Sequence, residues 1–104
     1  MRRGDVWWAE LPAPTGRRPV VLLTRNEAYA FRELVTVAPV TTHIRRIPTE
    51  VALGKKDGLP RRCVANLDTI TTIDKKALTA QLTSLMPAKL AAVDRALKFA
   101  LGLR

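Results

Sequence analysis

Hydrophobic positions in the first 84 residues form short runs, separated by polar stretches or by clusters of proline and glycine. The clearest run is Pro19–Thr24, which is too short for a helix and rich in β-branched residues, so it predicts a buried strand. The segment Pro12–Gly16 in front of it predicts a turn. Similar runs predict six further strands: Asp5–Leu11, Leu34–Val40, Thr49–Leu53, Cys63–Leu67, Thr69–Ile73 and Leu78–Leu82. A strand about every ten residues is typical of a small barrel.

The pattern changes its period after Pro87, where apolar residues recur at intervals of three and four and predict one face of a helix. Pro87 suits the first helical position, where its missing N–H costs nothing, and Gly102 suits the end. We therefore predict a single domain over residues 1–104, mainly β and of the α+β class, that ends in a helix. The apolar face comprises Leu90, Val93, Leu97 and Leu101.

The chain has 104 residues, a length typical of one domain, and contains one cysteine and one histidine. Cys63 has no partner for a disulfide within the chain, and together with His43 it cannot complete a tetrahedral zinc site there. A ribonuclease mechanism that uses two histidines is excluded within one chain for the same reason. We therefore expect neither a metal ion nor a cofactor.

The cellular location of the protein is predicted from the length of its apolar runs and from its N-terminal residues. None of them approaches the ~20 residues that a membrane span needs. The N-terminal residues are basic, but a tryptophan pair and Glu10 follow them where a signal peptide would have an apolar core. These features predict a cytoplasmic protein that does not bind a membrane.

The chain carries 18 basic and 9 acidic residues, a formal net charge of +9, which favours a polyanionic partner such as nucleic acid. Most of the basic residues occur as doublets at strand ends or in predicted loops. Because the loops of a small barrel gather at its two rims, we expect several doublets to form a positive rim that follows phosphates. The doublets are Arg2-Arg3, Arg17-Arg18, Arg45-Arg46, Lys55-Lys56, Arg61-Arg62 and Lys75-Lys76.

The side chains available for catalysis are mainly arginine, lysine and threonine. The chain has no glycine-rich phosphate loop, no Cys-x-x-Cys motif and no adjacent pair of carboxylates. Such a set supports RNA cleavage, because the nucleophile, the ribose 2′-OH, belongs to the substrate. Arginine suits the remaining task, since its planar fork binds two phosphate oxygens and stabilises the charge that develops there.

Five segments, in order along nearly the whole chain, resemble the MazF/PemK toxin family. Arg3–Trp8 (Arg-Gly-Asp-Val-Trp-Trp) and Arg17–Leu22 resemble the opening of the family, and Val35–Thr42 resembles its third strand with the active-site threonine. Thr72–Lys75 and the closing Leu101–Leu103 are also similar. Each segment alone is a weak signal. The combination Arg-Pro-Val-Val-Leu followed by Pro-Val-Thr-Thr at this spacing is specific.

The resemblance implies an SH3-like barrel of the CcdB/MazF type with a C-terminal helix, acting as a homodimer. It also implies the toxin of a type II toxin–antitoxin pair. Such toxins are metal-independent, sequence-selective endoribonucleases that cleave single-stranded RNA by 2′-OH attack and leave 2′,3′-cyclic phosphate and 5′-hydroxyl ends. An acidic antitoxin similar to MazE, disordered when free, is the implied protein partner.

The family's catalytic arginine corresponds to Arg18 and its catalytic threonine to Thr41, with Thr42 as the alternative for the threonine. Arg18 is expected to stabilise the phosphorane and to help protonate the leaving oxygen. Thr41 is expected to position the 2′-OH or relay its proton, because a neutral threonine is a poor base by itself. Residues near the same strand ends are predicted to bind RNA: Arg17, Arg25, Asn26, Thr42, His43, Arg45 and Arg46.

Two other functions remain open from the sequence. A CcdB-like toxin that binds a protein target such as gyrase would keep the fold without needing Arg18 and Thr41. A nucleic-acid-binding barrel without catalysis would keep the basic rim. The presence of both candidate residues at the family spacing favours the ribonuclease.

Overall fold

The computed structural model describes all residues from 1 to 104 and contains seven strands and one α-helix. Each predicted strand is present, with ends within two residues of the prediction, and the α+β class is confirmed. Short 3₁₀ turns occupy several of the connections. The elements are β1 (Asp5–Glu10), β2 (Arg17–Leu22), β3 (Leu34–Thr41), β4 (Glu50–Leu53), β5 (Cys63–Asn66), β6 (Thr71–Asp74), β7 (Leu78–Ser84) and α1 (Pro87–Leu101).

All strand pairs are antiparallel, and β3 is the central strand of the sheet. The order is β4-β5-β3-β2-β1-β7, and β6 pairs with β3 outside this path. β3 pairs with β2 as far as Val20↔Pro39, and from Val40↔Ala65 it pairs with β5. The strand therefore extends to Thr41, one residue beyond its predicted end, because it changes partner at the proline instead of stopping there.

The sheet curls without closing, since no backbone ladder joins its outer strands β4 and β7. The loop after β4 bridges part of this gap, because Gly58 lies against Thr83 of β7. A Cβ added at Gly58 would meet the Cβ of Thr83 at 2.6 Å. Gly58 also has a φ of 94°, in the left-handed region that favours glycine. The predicted barrel is therefore partly open and is completed by loop packing instead of hydrogen bonds.

Both faces of the sheet are covered by buried side chains. The larger group includes Val21 of β2 and Val93 of α1, both fully buried. The smaller group includes the neighbouring Val20 and lies on the opposite face, since successive strand residues alternate. Burying apolar area on both faces gives this small chain its core without a disulfide.

The side chains at the end of β1 lie on both faces of the sheet. Leu11 packs with Trp7 against the smaller core group, and Trp8 lines a cavity with Cys63 of the larger group. Trp7 and Trp8 are both half-buried. Both tryptophans are partly covered because the curled sheet carries packed side chains on each of its faces.

The helix α1 begins and ends as its sequence predicts. Pro87 occupies the first turn, and Gly102 ends the helix with a φ of 70°. Val93 and Ala96 are buried against the larger core group, while Leu101 at the end of the predicted stripe is 52% exposed. The helices of the fold contain no apolar segment long enough to span a membrane.

Candidate active site

A cleft lies where β2 and β3 separate. Their ladder ends at Val20↔Pro39, and β3 then pairs with β5, so the first residues of β2 have no partner on this side. Arg18 and Thr41 each lie two residues beyond this last pair. The change of partner at Pro39 therefore places the two predicted catalytic residues on the two strands that border the cleft.

Arg18 is half-buried on β2, opposite Ala9 of β1. Its Nε is buried without a hydrogen-bond partner, and no carboxylate forms an ion pair with its guanidinium. A buried donor on a positive group is costly unless a ligand supplies the acceptor. Because the guanidinium fork matches two oxygens of a phosphate, Arg18 is suited to bind an anion in the cleft.

Thr41 is the last residue of β3 and is held in the ladder to Val64 of β5. Its Oγ1 accepts a hydrogen bond of 3.1 Å from the backbone N–H of His43. This bond occupies a lone pair of the hydroxyl and leaves its own O–H free to donate. Thr42 is exposed and makes no such bond. Of the two threonines, Thr41 is therefore the one whose hydroxyl the fold orients.

Arg17 covers one face of Trp8. Its Cζ lies 4.1 Å from the centroid of the indole ring, within the range of a cation–π contact. Its Nε lies 3.6 Å from Oε1 of Glu10. Arg17, predicted to bind RNA, is thus engaged by protein groups, and the stack holds Trp8 at the edge of the cleft.

Trp8 and Thr41 both line a cavity of about 110 Å³. Cys63 is a buried part of the same lining, and burial, with a smaller effect of the negative Asp57, raises the pKa of its thiol above the ordinary 9.0. The thiol is therefore neutral at physiological pH and is not activated as a nucleophile. The cavity is also lined by Thr42, Leu59, Pro60 and Arg61.

Three of the six basic doublets gather at this end of the molecule. Arg17 and Arg18 begin β2, Arg61 lines the cavity, and Arg46 and Arg62 line a neighbouring cavity that also reaches the buried cysteine. Among these residues only Arg17 has an ion-pair partner. The positive rim that the charge pattern predicted is thus formed by half of the doublets.

The loop between β3 and β4 presents His43, Arg45 and Arg46, all exposed. The backbone N–H groups of Arg45 and Arg46 both donate to Oε1 of Glu50 at 2.9 Å. Arg46 adopts a φ of 60° in the same turn. Glu50 therefore fixes the backbone of this loop and leaves the three predicted RNA-binding side chains available to a ligand.

Two predicted RNA-binding residues lie at the other end of β2. Arg25 lines a separate cavity with Leu97 and Leu101 of α1. The side chain of Asn26 accepts a hydrogen bond of 2.6 Å from the backbone N–H of Arg3. The structure does not bring these two residues to the cleft.

The sequence did not single out Arg61 as a neighbour of Thr41, although it belongs to a predicted doublet. The pairing Thr41↔Val64 brings the start of β5 beside the end of β3, and Arg61 precedes that strand. No group of three or more histidine, cysteine, aspartate or glutamate side chains is placed to hold a metal ion.

Residues 2–101 match the model of a family described as PemK-like, MazF-like toxin of type II toxin-antitoxin system. The chain belongs to this toxin family. The resemblance seen in the sequence is thereby confirmed over nearly its whole length.

Relatives and solved structures of MazF toxins agree with this membership. "Probable endoribonuclease MazF5" of Mycobacterium tuberculosis is 40% identical over 99 residues, which cover 94% of this chain and 90% of the relative. "Endoribonuclease MazF" of Staphylococcus epidermidis is 39% identical over 111 residues, covering 99% and 92%.

Two solved structures superpose on this fold with a TM-score of 0.89. One is the Mycobacterium tuberculosis toxin MazF-mt6, which is 32% identical and covers 96% of this chain and 98% of its own. The other is an endoribonuclease in complex with its cognate antitoxin from a mycobacterial species, 34% identical, covering 100% and 97%. The fold is therefore that of the MazF toxins.

Proposed function

We propose that this chain is a metal-independent, sequence-selective endoribonuclease that cleaves single-stranded RNA in the cytoplasm. The observation that carries the proposal is the half-buried Arg18, whose Nε has no partner, on one of the two strands that border the cleft, with the oriented hydroxyl of Thr41 on the other. The endoribonuclease names of the relatives from Mycobacterium tuberculosis and Staphylococcus epidermidis support the same reaction.

The reaction begins with attack of the ribose 2′-oxygen on the adjacent phosphorus. The new P–O bond forms as the bond to the 5′-oxygen breaks, which leaves a 2′,3′-cyclic phosphate and a 5′-hydroxyl. Arg18 binds the non-bridging oxygens, stabilises the extra charge of the phosphorane and assists protonation of the leaving 5′-oxygen. The protein needs to supply only positioning and charge, because the nucleophile is part of the RNA.

Thr41 acts by position more than as a base. Its Oγ1 already accepts the N–H of His43, and its free O–H is a donor for the 2′-oxygen or for a phosphate oxygen. The hydroxyl thus aligns the attacking group, and the 2′-OH proton passes through it or through an adjacent water. Arg46 and Arg62, which lack ion-pair partners, provide contacts for neighbouring phosphates.

The chain is proposed to act as a homodimer that an acidic antitoxin inhibits. The excess of 18 basic over 9 acidic residues and the unpaired arginines near the cleft favour an acidic partner segment. A related endoribonuclease has been solved in complex with its cognate antitoxin. An acidic segment over the cleft would exclude RNA by competing for the same positive groups.

Cleavage of a mixed pool of single-stranded RNA by the purified chain in EDTA tests the proposal. We expect discrete products that end in 2′,3′-cyclic phosphate and 5′-hydroxyl, and no cleavage of the same sequences made as DNA. Binding without cleavage would instead indicate a nucleic-acid-binding barrel. Neither binding nor cleavage would favour a toxin that binds a protein.

A further inference from the structure

The cavity beside Thr41 has a lining suited to a planar, partly polar ring. Trp8 supplies an aromatic wall, and Val40 and the buried Cys63 supply apolar surface. Thr42 and Arg61 are exposed members of the same lining. An apolar slot with hydroxyl and guanidinium groups at its mouth is typical of a site for a nucleobase, which stacks through its faces and hydrogen-bonds through its edge.

The charges around the cavity favour nucleic acid over an uncharged aromatic ligand. Arg61 has no ion-pair partner, and the guanidinium of Arg17 lies 4.1 Å from the centre of the Trp8 ring. A nucleotide whose base enters the cavity brings its phosphate close to these positive groups. Because Thr41 belongs both to the cavity and to the proposed catalytic pair, that phosphate is the scissile phosphate or the next one.

The volume of the cavity, about 110 Å³, indicates the size of the base. A protein cavity of roughly 150 Å³ is known to bind benzene, a single six-membered ring. The space beside Trp8 is smaller than that and open at its mouth, so a single ring fills it with its substituents toward solvent. The second ring of a purine would lie outside the cavity and gain no contact with its lining.

We propose that this cavity binds a pyrimidine base of one of the two nucleotides that flank the scissile phosphate. The inference rests on the proposed ribonuclease function and names the residues that give it part of its selectivity. Trp8 stacks on the base, and Arg61 donates to the O2 carbonyl that cytosine and uracil share. Thr42, with a hydroxyl that donates and accepts, contacts the remaining edge.

Two variants and two matched controls test the cavity through selectivity. Trp8→Leu removes the stacking ring, and Arg61→Ala removes an exposed donor without disturbing the core. Trp7→Phe changes the adjacent tryptophan, which packs against the other face of the sheet, and Arg95→Ala removes an exposed arginine of α1 that does not line the cavity. Each protein is incubated in EDTA with an RNA pool of random sequence, and the product ends are sequenced.

We expect the wild type to prefer C or U at one of the two positions that flank the cut. Trp8→Leu and Arg61→Ala should lower that preference at least about 5-fold at that position alone, in line with the loss of one stacking contact. The two controls should retain it. A purine preference at both flanking positions, or a preference that survives in both Trp8→Leu and Arg61→Ala, would overturn the proposal.

A binding measurement separates this inference from the cleavage reaction. Trp7→Phe leaves Trp8 as the only tryptophan of the chain, so its fluorescence reports the cavity. We expect 2′-O-methyl oligouridylate and oligocytidylate, which lack the nucleophile, to quench it, and oligoadenylate to leave it unchanged. Quenching without any RNA cleavage by the wild type would support the cavity while refuting the ribonuclease. Equal quenching by all three oligomers, or none, would refute the cavity.

Discussion

Two side chains, the guanidinium of Arg18 and the hydroxyl of Thr41, determine the chemistry available in the cleft. Arg18 carries a fixed positive charge and a buried Nε without a partner, while Thr41 carries a hydroxyl that already accepts one backbone hydrogen bond. In the proposed reaction the arginine supplies charge stabilisation and the threonine supplies direction. This division of roles suits a chain with one histidine and a neutral cysteine, because it needs neither a histidine pair nor a thiolate.

The two adjacent threonines allow a matched test of position. Thr41→Val keeps the shape of the side chain but removes the oriented hydroxyl, so we expect the single-turnover rate of RNA cleavage to fall by about 10²-fold. Thr42→Val should leave that rate within a few-fold, since Thr42 is exposed and has no fixed hydrogen bond. A larger loss for Thr42→Val than for Thr41→Val would exchange their roles.

The buried thiol makes stability depend on alkaline pH. Burial, aided by Asp57, raises the pKa of Cys63 above 9.0 in the folded state, so the thiol stays protonated there while it ionises in the unfolded chain. Its contribution to the free energy of unfolding is complete below about pH 9 and is lost as pH rises through the folded pKa. Tyr29, whose pKa burial raises above 10.0, acts in the same direction at higher pH.

Urea unfolding at several pH values between about 8 and 10 checks this expectation. The free energy of unfolding should decline with pH by at most ~1.4 kcal/mol per pH unit for the one group. Cys63→Ala, although less stable at neutral pH, should show a flatter profile over the same range. An identical slope in the variant would remove the thiol as the cause.

At the scale of elements, the loop between β4 and β5 joins the two outer strands and also forms one wall of the cavity. Gly58 packs on Thr83 of β7, and Leu59 and Arg61 follow it into the cavity lining. Because β4 and β7 share no backbone ladder, this contact holds the open side of the sheet. The shape of the cavity therefore depends on the contact between Gly58 and β7, a strand that does not itself line the cavity.

Gly58→Ala tests that dependence. The left-handed φ and the overlap of the new Cβ with Thr83 should lower the free energy of unfolding by about 2–4 kcal/mol. Gly54→Ala is the matched control in the same loop, because a Cβ there meets no atom within 4 Å and its φ of −166° is ordinary extended backbone. Equal stability of the two variants in thermal or urea unfolding would contradict the bridging role of Gly58.

The elements could be predicted from the sequence because their signals are local. The apolar run that became β2, the proline and glycine at the ends of α1 and the turn at Pro12–Gly16 each needed only neighbouring residues. The residues around the candidate site could be predicted less completely. Arg18 and Thr41 follow from the family resemblance, but Arg61 reaches Thr41 only through the pairing of β3 with β5. Periodicity carries no information on that pairing.

Across the whole molecule, the basic residues behind the net charge of +9 fall into two groups, those bound to protein groups and those left unpaired. Arg3 is paired with Asp94 and Lys75 donates to the carbonyl of Tyr29, so these charges serve the fold. The arginines near the cleft are largely unpaired. RNA affinity should therefore depend on a few residues at one end of the molecule, not on net charge alone.

The salt dependence of RNA binding tests this distribution. If about five phosphates are contacted, the logarithm of the association constant should fall against the logarithm of salt concentration with a slope of about −3.5. Replacing both Arg46 and Arg62, the proposed phosphate contacts, by alanine should reduce the slope by about 1.4. Replacing Arg95 and Lys98, exposed on α1, removes the same charge and should leave the slope unchanged. Equal effects of the two pairs would indicate binding by net charge.

In the proposed function, Arg18 stabilises the transition state of RNA cleavage. Its most direct test is the single-turnover cleavage rate, with RNA affinity measured alongside, for Arg18→Ala and for the control Arg95→Ala, which removes an exposed arginine of α1. We predict that Arg18→Ala lowers the rate by about 10²–10³-fold or more with RNA still bound, whereas Arg95→Ala cleaves like the wild type. Equal rates for the two variants, or a loss in Arg18→Ala that weaker binding fully explains, would contradict this role of Arg18.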